Sequence, residues 1–240
     1  GYMTSLPSLK APFVFSCFNH TIFDMQVLTH ELGHAFAGYM AMRSQPISDY
    51  YSESTDIAEI HSMSMEQFAY PYAEWFFGDQ ADKFRFAHLQ EAITFVPFGV
   101  AVDEFQHICY AHPELTPKER TYQWHLLEEK YMPWRCYEND SFMERGGYWY
   151  HKLHIYLYPF YYINYTLTTM GAMEFKKKYA EDKQAAWQDY LKLCKTGGSR
   201  SYLETLRYAN LANPFEAGSV ERACGYAEKI LLEQIEKQEQ

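Results

Sequence analysis

No C-x-x-C pair occurs in this chain. Its five cysteines, Cys17, Cys109, Cys136, Cys194 and Cys224, are odd in number and far apart. That excludes a disulfide framework and a cysteine-built zinc site, and isolated thiols of a reducing compartment are expected instead. Basic residues are also scarce, 21 Lys and Arg against 31 Asp and Glu, a formal charge of −10. A nucleic-acid surface needs a basic stripe, and an anionic membrane surface needs positive charge too, so neither partner is expected. No charged-then-apolar leader opens the chain. The most apolar run, residues 93–102, contains Pro97, stops at Asp103 and is too short to span a bilayer. With no internal repeat and no low-complexity linker, the 240 residues are expected to form a single soluble, cytoplasmic domain able to bury a real core.

Aromatic side chains are what the sequence has in excess. It carries 22 tyrosines and 17 phenylalanines, and tyrosine suits a groove that must be both apolar and hydrogen-bonding. Most of the chain reads as helix. Expected helices start near Asp24 as N-cap and run to Ser44, start within 52–56 and run to Tyr70, and cover 81–111. Another opens at the Thr116-Pro117-Lys118-Glu119 capping box. Further ones are expected from Pro159 to Lys178, over 183–195, after Ser201-x-x-Glu204 and from Ser219. Residues 11–18, β-branched and aromatic after a proline, are the expected strand. The expected fold class is therefore mainly α with a short β element.

His30-Glu31-Leu32-Gly33-His34 has the pattern H-E-x-x-H. On an α-helix, residues four apart lie about 40° from each other around the axis and about 6 Å along it. Two imidazoles so placed can aim at one ion, and Glu31 can reach a water beside it without being a ligand. An ordinary polar helix face could carry the same residues. Here Val27, Leu28, Leu32, Ala35, Phe36 and Tyr39 make the helix mostly buried, and buried histidine and glutamate are unfavourable unless paired or bound to metal. Gly33 and Gly38 each weaken a helix interior by about 1 kcal/mol, so close packing against another element is expected.

A catalytic zinc needs a third protein ligand and an open position. Met40 stands six residues after His34, so a three-histidine site is excluded. Asp49, Glu53, Asp56, Glu59, His61 and Glu66 are the next candidates. Asp56, Glu59, Met63 and Glu66 share one helical stripe, and spacing does not choose among the three carboxylates.

Thr29-His-Glu-Leu-Gly-His34, with Glu59 25 residues later in the segment Asp56–Glu66, resembles the M3 family of metallopeptidases, in particular its oligoendopeptidase F-like branch. Gly1-Tyr-Met-Thr, Ala11-Pro-Phe-Val-Phe, His154–Tyr165, Gly197-Gly-Ser199 and Pro214-Phe215 fit the same branch. The resemblance implies a helical zincin-type catalytic domain holding one zinc, with Glu59 as the third ligand beside His30 and His34. It implies Glu31 as general base, and His154, Tyr158 and Tyr165, with Tyr162 less closely matched, as donors above the scissile bond. Asp56 and Glu66 become the carboxylates expected to orient the ligand histidines. Asn164 departs from the aspartate expected there.

Relatives of this kind are more than twice as long, so the chain is expected to be the C-terminal catalytic half of a longer enzyme. Its expected work is hydrolysis of internal bonds in short peptides. An exposed aromatic face is expected to meet a separately supplied N-terminal half or a second copy. The alternatives are a peptide-binding scaffold of the same fold without turnover, and a helical domain with a structural metal. A structural site needs four ligands, and only three can be placed.

Overall fold

In a computed structural model, residues 1–238 are described. Two strands, β1 (Tyr2–Leu6) and β2 (Ala11–Phe15), lead into helices α1 (Ile22–Ser44), α2 (Thr55–Phe68), α3 (Glu74–Phe77), α4 (Ala81–Ala111), α5 (Pro117–Tyr131) and α6 (Ser141–Glu144). α7 (Leu153–Leu157), α8 (Ile163–Glu181), α9 (Lys183–Thr196), α10 (Tyr202–Tyr208) and α11 (Ser219–Gln238) follow. Helix makes up 73% of the chain, and the sheet is one antiparallel pair, so the fold is the mainly α one expected. No described helix is long and apolar enough to cross a membrane.

The strand expectation holds at its start, Ala11, and needs correcting at its far end. Pairing stops at Phe15, and the partner strand β1, which the sequence reading left out, pairs Met3 with Val14 and Ser5 with Pro12. Those four side chains are the less exposed alternate set, while Tyr2, Phe13 and Phe15 on the other face stay exposed. Thr21, not Asp24, precedes α1. The Asp24 carboxylate sits in the first turn and accepts the N–H groups of Asn19 and His20, so it ties down the incoming loop. Nor does Pro159 open a helix. Phe160 takes a left-handed conformation, φ +60°, with its N–H on Gln106 Oε1 at 2.9 Å, and α8 starts only at Ile163. The capping box at Thr116 and Glu119 is present in both halves.

Two compact units divide the chain, Gly1–Glu91 with Leu167–Gln240, and Ala92–Thr166. In the first, Ile57, Ile60, Phe68, Phe175, Tyr190 and Leu193 centre a core shared by α2, α8 and α9. In the second, Phe98, Phe105, Trp124 and Trp149 pack ring against ring. The first unit also carries an apolar groove of about 690 Å³ whose walls include Leu28, Leu32, Met65, Tyr72, Trp75 and Trp187.

Candidate metal centre

α1 and α2 approach closely because of one residue. A Cβ on Gly33 would lie 2.6 Å from Ser62 Cα and 2.7 Å from the His61 carbonyl oxygen, so only hydrogen fits there. Gly38 meets the hairpin instead, near Ser5 and Met3. Both glycines thus mark close packing, as expected from their place inside a helix.

The close approach brings three donors together. His30 Nε2 lies 3.1 Å and His34 Nε2 3.5 Å from Glu59 Oε2, and one atom from each residue falls within 4.8 Å of the other two. Bonds of 2.0–2.1 Å in tetrahedral geometry would separate donors by about 3.3 Å. The two measured separations bracket that value, so the donor set fits a small divalent cation. Among the described residues this is the one His, Cys, Asp or Glu grouping that meets the criterion of three converging donors. The electrostatics agree. Burial alone would lower the His30 pKa, but Glu59 and Glu66 outweigh burial and raise it to about 10. Burial would push Glu59 up, yet His30 and His34 hold its carboxyl well below the usual carboxylate range. Two carboxylates against one histidine make the pocket one that favours positive charge.

Glu66 is brought to the ligands and Asp56 is not. Glu66 Oε1 lies 2.6 Å from His30 Nδ1, as a carboxylate that orients a ligand should. Asp56, one turn before Glu59, has a buried Oδ1 without a hydrogen-bond partner, and its charge falls on Tyr202. The shared helical stripe overstated its reach: among the described residues Asp56 makes no ion pair with either histidine, whereas Glu66 does. Glu53 and His61, also candidates for the third ligand, lie 2.9 Å from one another at a buried site, without the alignment of a hydrogen bond. Glu31, 9% exposed, has no hydrogen bond or ion pair among the described residues. Its carboxylate therefore has no competing partner among the described residues.

The donors expected above the scissile bond belong to the second unit, and they gather there. The His154 ring lies 5.9 Å from that of Tyr165, 6.2 Å from Tyr158 and 5.2 Å from Tyr162. Tyr162 is buried in the aromatic core, which makes it a wall residue, whereas Tyr158 is 57% exposed.

Residues 1–225 match the sequence profile of peptidase family M3. The chain belongs to that family. It is 28% identical over 193 residues to an oligoendopeptidase F homologue of Borreliella burgdorferi, covering 78% of this chain and 32% of that one. Among solved structures, PZ peptidase A in complex with an inhibitor superposes with a TM-score of 0.88 at 46% identity, covering 97% of this chain and 41% of that one. A Bacillus anthracis strain Ames protein provisionally assigned as an oligoendopeptidase F gives 0.80 at 42% identity, covering 97% and 38%. This M3 chain therefore spans about a third to two fifths of the length of those relatives. Membership in a metallopeptidase family agrees with a metal at the His30, His34 and Glu59 cluster.

His88 and Tyr70 are the residues that sequence reading missed. His88 Nε2 lies 2.7 Å from Glu66 Oε2, and His88 Nδ1 lies 2.7 Å from the Tyr70 hydroxyl. They stand on other elements, 22 and 4 residues after Glu66, and no motif spacing marks them.

Proposed function

We propose that this chain is the catalytic part of a zinc endopeptidase that hydrolyses internal bonds of short peptides. The observation that carries the reading is the convergence of His30, His34 and Glu59 beside an unpartnered Glu31. Two imidazoles and one carboxylate are the donor set of a catalytic zinc, with one position left open.

Zinc held there supplies Lewis acidity for the scissile carbonyl and for the attacking water. Glu31 accepts a proton from that water on a carboxylate oxygen as the water oxygen bonds to the carbonyl carbon. The same proton passes to the amide nitrogen when the C–N bond breaks, so Glu31 ends ionised as it began. Donors to the oxyanion are assigned to His154, Tyr158 and Tyr165. This assignment rests on the match of their segment to the family, and each such donor contributes about 2.7–4 kcal/mol. An extended substrate suits the free edge of the hairpin, where main-chain pairing gives affinity with little sequence preference. The start of β1 lies beside the base: a Cβ on Gly1 would sit 3.2 Å from Glu31 Cγ.

A quenched-fluorescent peptide of about ten residues, offered with added zinc, tests the reading. Wild type should cleave it internally, and Glu31→Gln should keep the metal and lose about 10²–10⁴-fold in kcat. Near wild-type turnover in Glu31→Gln would remove Glu31 as the base. Zinc binding without any cleavage would favour the scaffold alternative.

A further inference from the structure

The contacts behind Glu66 continue well past the first oriented histidine. His30 Nδ1, Glu66 Oε1 and Oε2, His88 Nε2 and Nδ1, and the Tyr70 hydroxyl form an unbroken series with separations of 2.6, 2.7 and 2.7 Å. Glu66 and His88 are each 7% exposed and Tyr70 9%, so water does not compete for these bonds. The end far from His30 is anchored. Arg85 donates from Nη2 to the Tyr70 carbonyl at 2.8 Å, and Lys176 Nζ sits 3.7 Å over the Tyr70 ring. The Phe84 ring stacks on His88 at 5.5 Å and 10°.

One assignment of protons satisfies every atom in this series once Nε2 of His30 faces a metal. A coordinating Nε2 carries no proton, so Nδ1 carries it and donates to Glu66 Oε1. Glu66 is ionised and accepts on both oxygens, so His88 Nε2 must donate to Oε2. With its proton on Nε2, His88 presents Nδ1 as an acceptor, and the Tyr70 hydroxyl donates to it. Burial keeps that phenol protonated, since it pushes the Tyr70 pKa up. No buried donor or acceptor of the series is left unpaired, and no extra charge is required.

We infer that His88 and Tyr70 are positioning residues that hold Glu66, and through it the His30 imidazole, in the tautomer and orientation that the metal requires. The inference rests on the proposed zinc site and deepens it. The physical reason for such an extension is that a carboxylate bonded on one oxygen can still rotate, whereas one bonded on both is fixed. An oriented ligand loses less freedom on binding metal.

The test is the zinc dissociation constant, measured by competition with a chromophoric chelator, together with the visible spectrum of the cobalt-substituted protein. His88→Leu should weaken zinc binding about 10–100-fold, the range typical for loss of such an outer partner. His88→Gln can still donate to Glu66 and accept from Tyr70, so it should stay within about threefold of wild type. Tyr70→Phe should fall between them, and the cobalt bands should shift in His88→Leu and not in His88→Gln. A purely packing role would not be rescued by glutamine. Equal affinities in wild type, His88→Leu and Tyr70→Phe would overturn the inference. If His88→Leu fails to fold by circular dichroism, Tyr70→Phe decides alone, and an unchanged constant there overturns it. A wild type that binds no zinc at this cluster would instead overturn the proposed function.

Discussion

On the face of α1 turned to α2, His30, Gly33, His34 and Ala37 lie against a second helix, and Glu31 beside them is 9% exposed. On the opposite face, Leu28 and Leu32 line an open apolar groove, and Leu32 is 45% exposed. The helix thus buries a carboxylate and exposes a leucine, the reverse of an ordinary surface helix. On the buried face the histidines are paired through Glu59 and Glu66, with His88 behind Glu66, and Glu31 alone is left without a partner. Trp75, 81% exposed, and Phe76, 52% exposed, extend the apolar side. The lesson is that violations of local rules have two different causes here. The histidines have their compensation in the fold and Glu31 keeps an unpartnered carboxylate beside them, the kind of local exception expected at a functional site. The apolar violation has none among the described residues, and patches of this kind are where partners dock.

Breaking the polar face should have the largest effect. Glu59→Ala removes one of three ligands. Structural zinc sites with four ligands bind with about 10–16 kcal/mol, or about 2.5–4 kcal/mol per ligand, so affinity should fall on the order of 10²–10³-fold. Elemental analysis after dialysis checks it, and full zinc in the variant would take Glu59 out of the site. Next comes the packing that holds the face together. Gly33→Ala puts a methyl into the backbone of α2, and overpacking of this kind is worth about 1–3 kcal/mol. Thermal unfolding of the metal-free protein should show that loss, and zinc affinity should drop with it as Glu59 moves away from the histidines. An unchanged melting temperature would mean that the helices are not held by this contact.

A smaller effect concerns protons. The His30 pKa in the metal-free fold is raised from 6.5 to about 10, by Glu59 and Glu66 against burial. A raised value stabilises the fold below the unfolded pKa and is lost as pH rises through the folded one. The metal-free protein should therefore lose stability between pH 6.5 and about 10, and the zinc-loaded protein should lose much less. At pH 7 zinc must displace the His30 proton, so binding should release about one proton. Titration calorimetry in buffers of different ionisation enthalpy reads this directly, and no buffer dependence would contradict it. The smallest effect is expected on the apolar face. Leu32→Lys should leave zinc affinity unchanged and alter stability by no more than about 0.5 kcal/mol, while lowering the binding of a hydrophobic dye. A large loss of zinc in Leu32→Lys would show that the two faces are not independent.

How much of this was legible depended on how local the signal was. The H-E-x-x-H helix announced itself, because two histidines and a glutamate interrupt an apolar periodicity within one element. The close packing at Gly33 followed from a glycine that a helix interior disfavours. The Thr116 capping box was complete in four consecutive residues. Readings that depended on contacts between elements were the least legible. Asp56 and Glu66 look equivalent along the stripe of α2, yet only Glu66 meets a ligand histidine. His88 reaches Glu66 from α4, and nothing at the sequence level links the two. Pro159 looked like a helix start, but the left-handed Phe160 beyond it is stabilised by Gln106 from a distant helix. β1 was overlooked because five residues of mixed polarity have no strand signature without their partner.

Anomalous diffraction at the zinc absorption edge, from crystals grown with one equivalent of zinc, tests the central claim most directly. The account predicts a single strong peak bonded to His30 Nε2, His34 Nε2 and a Glu59 carboxylate oxygen, at about 2.0–2.2 Å from each. A peak elsewhere, for instance between Glu53 and His61, or no peak at all, would contradict it.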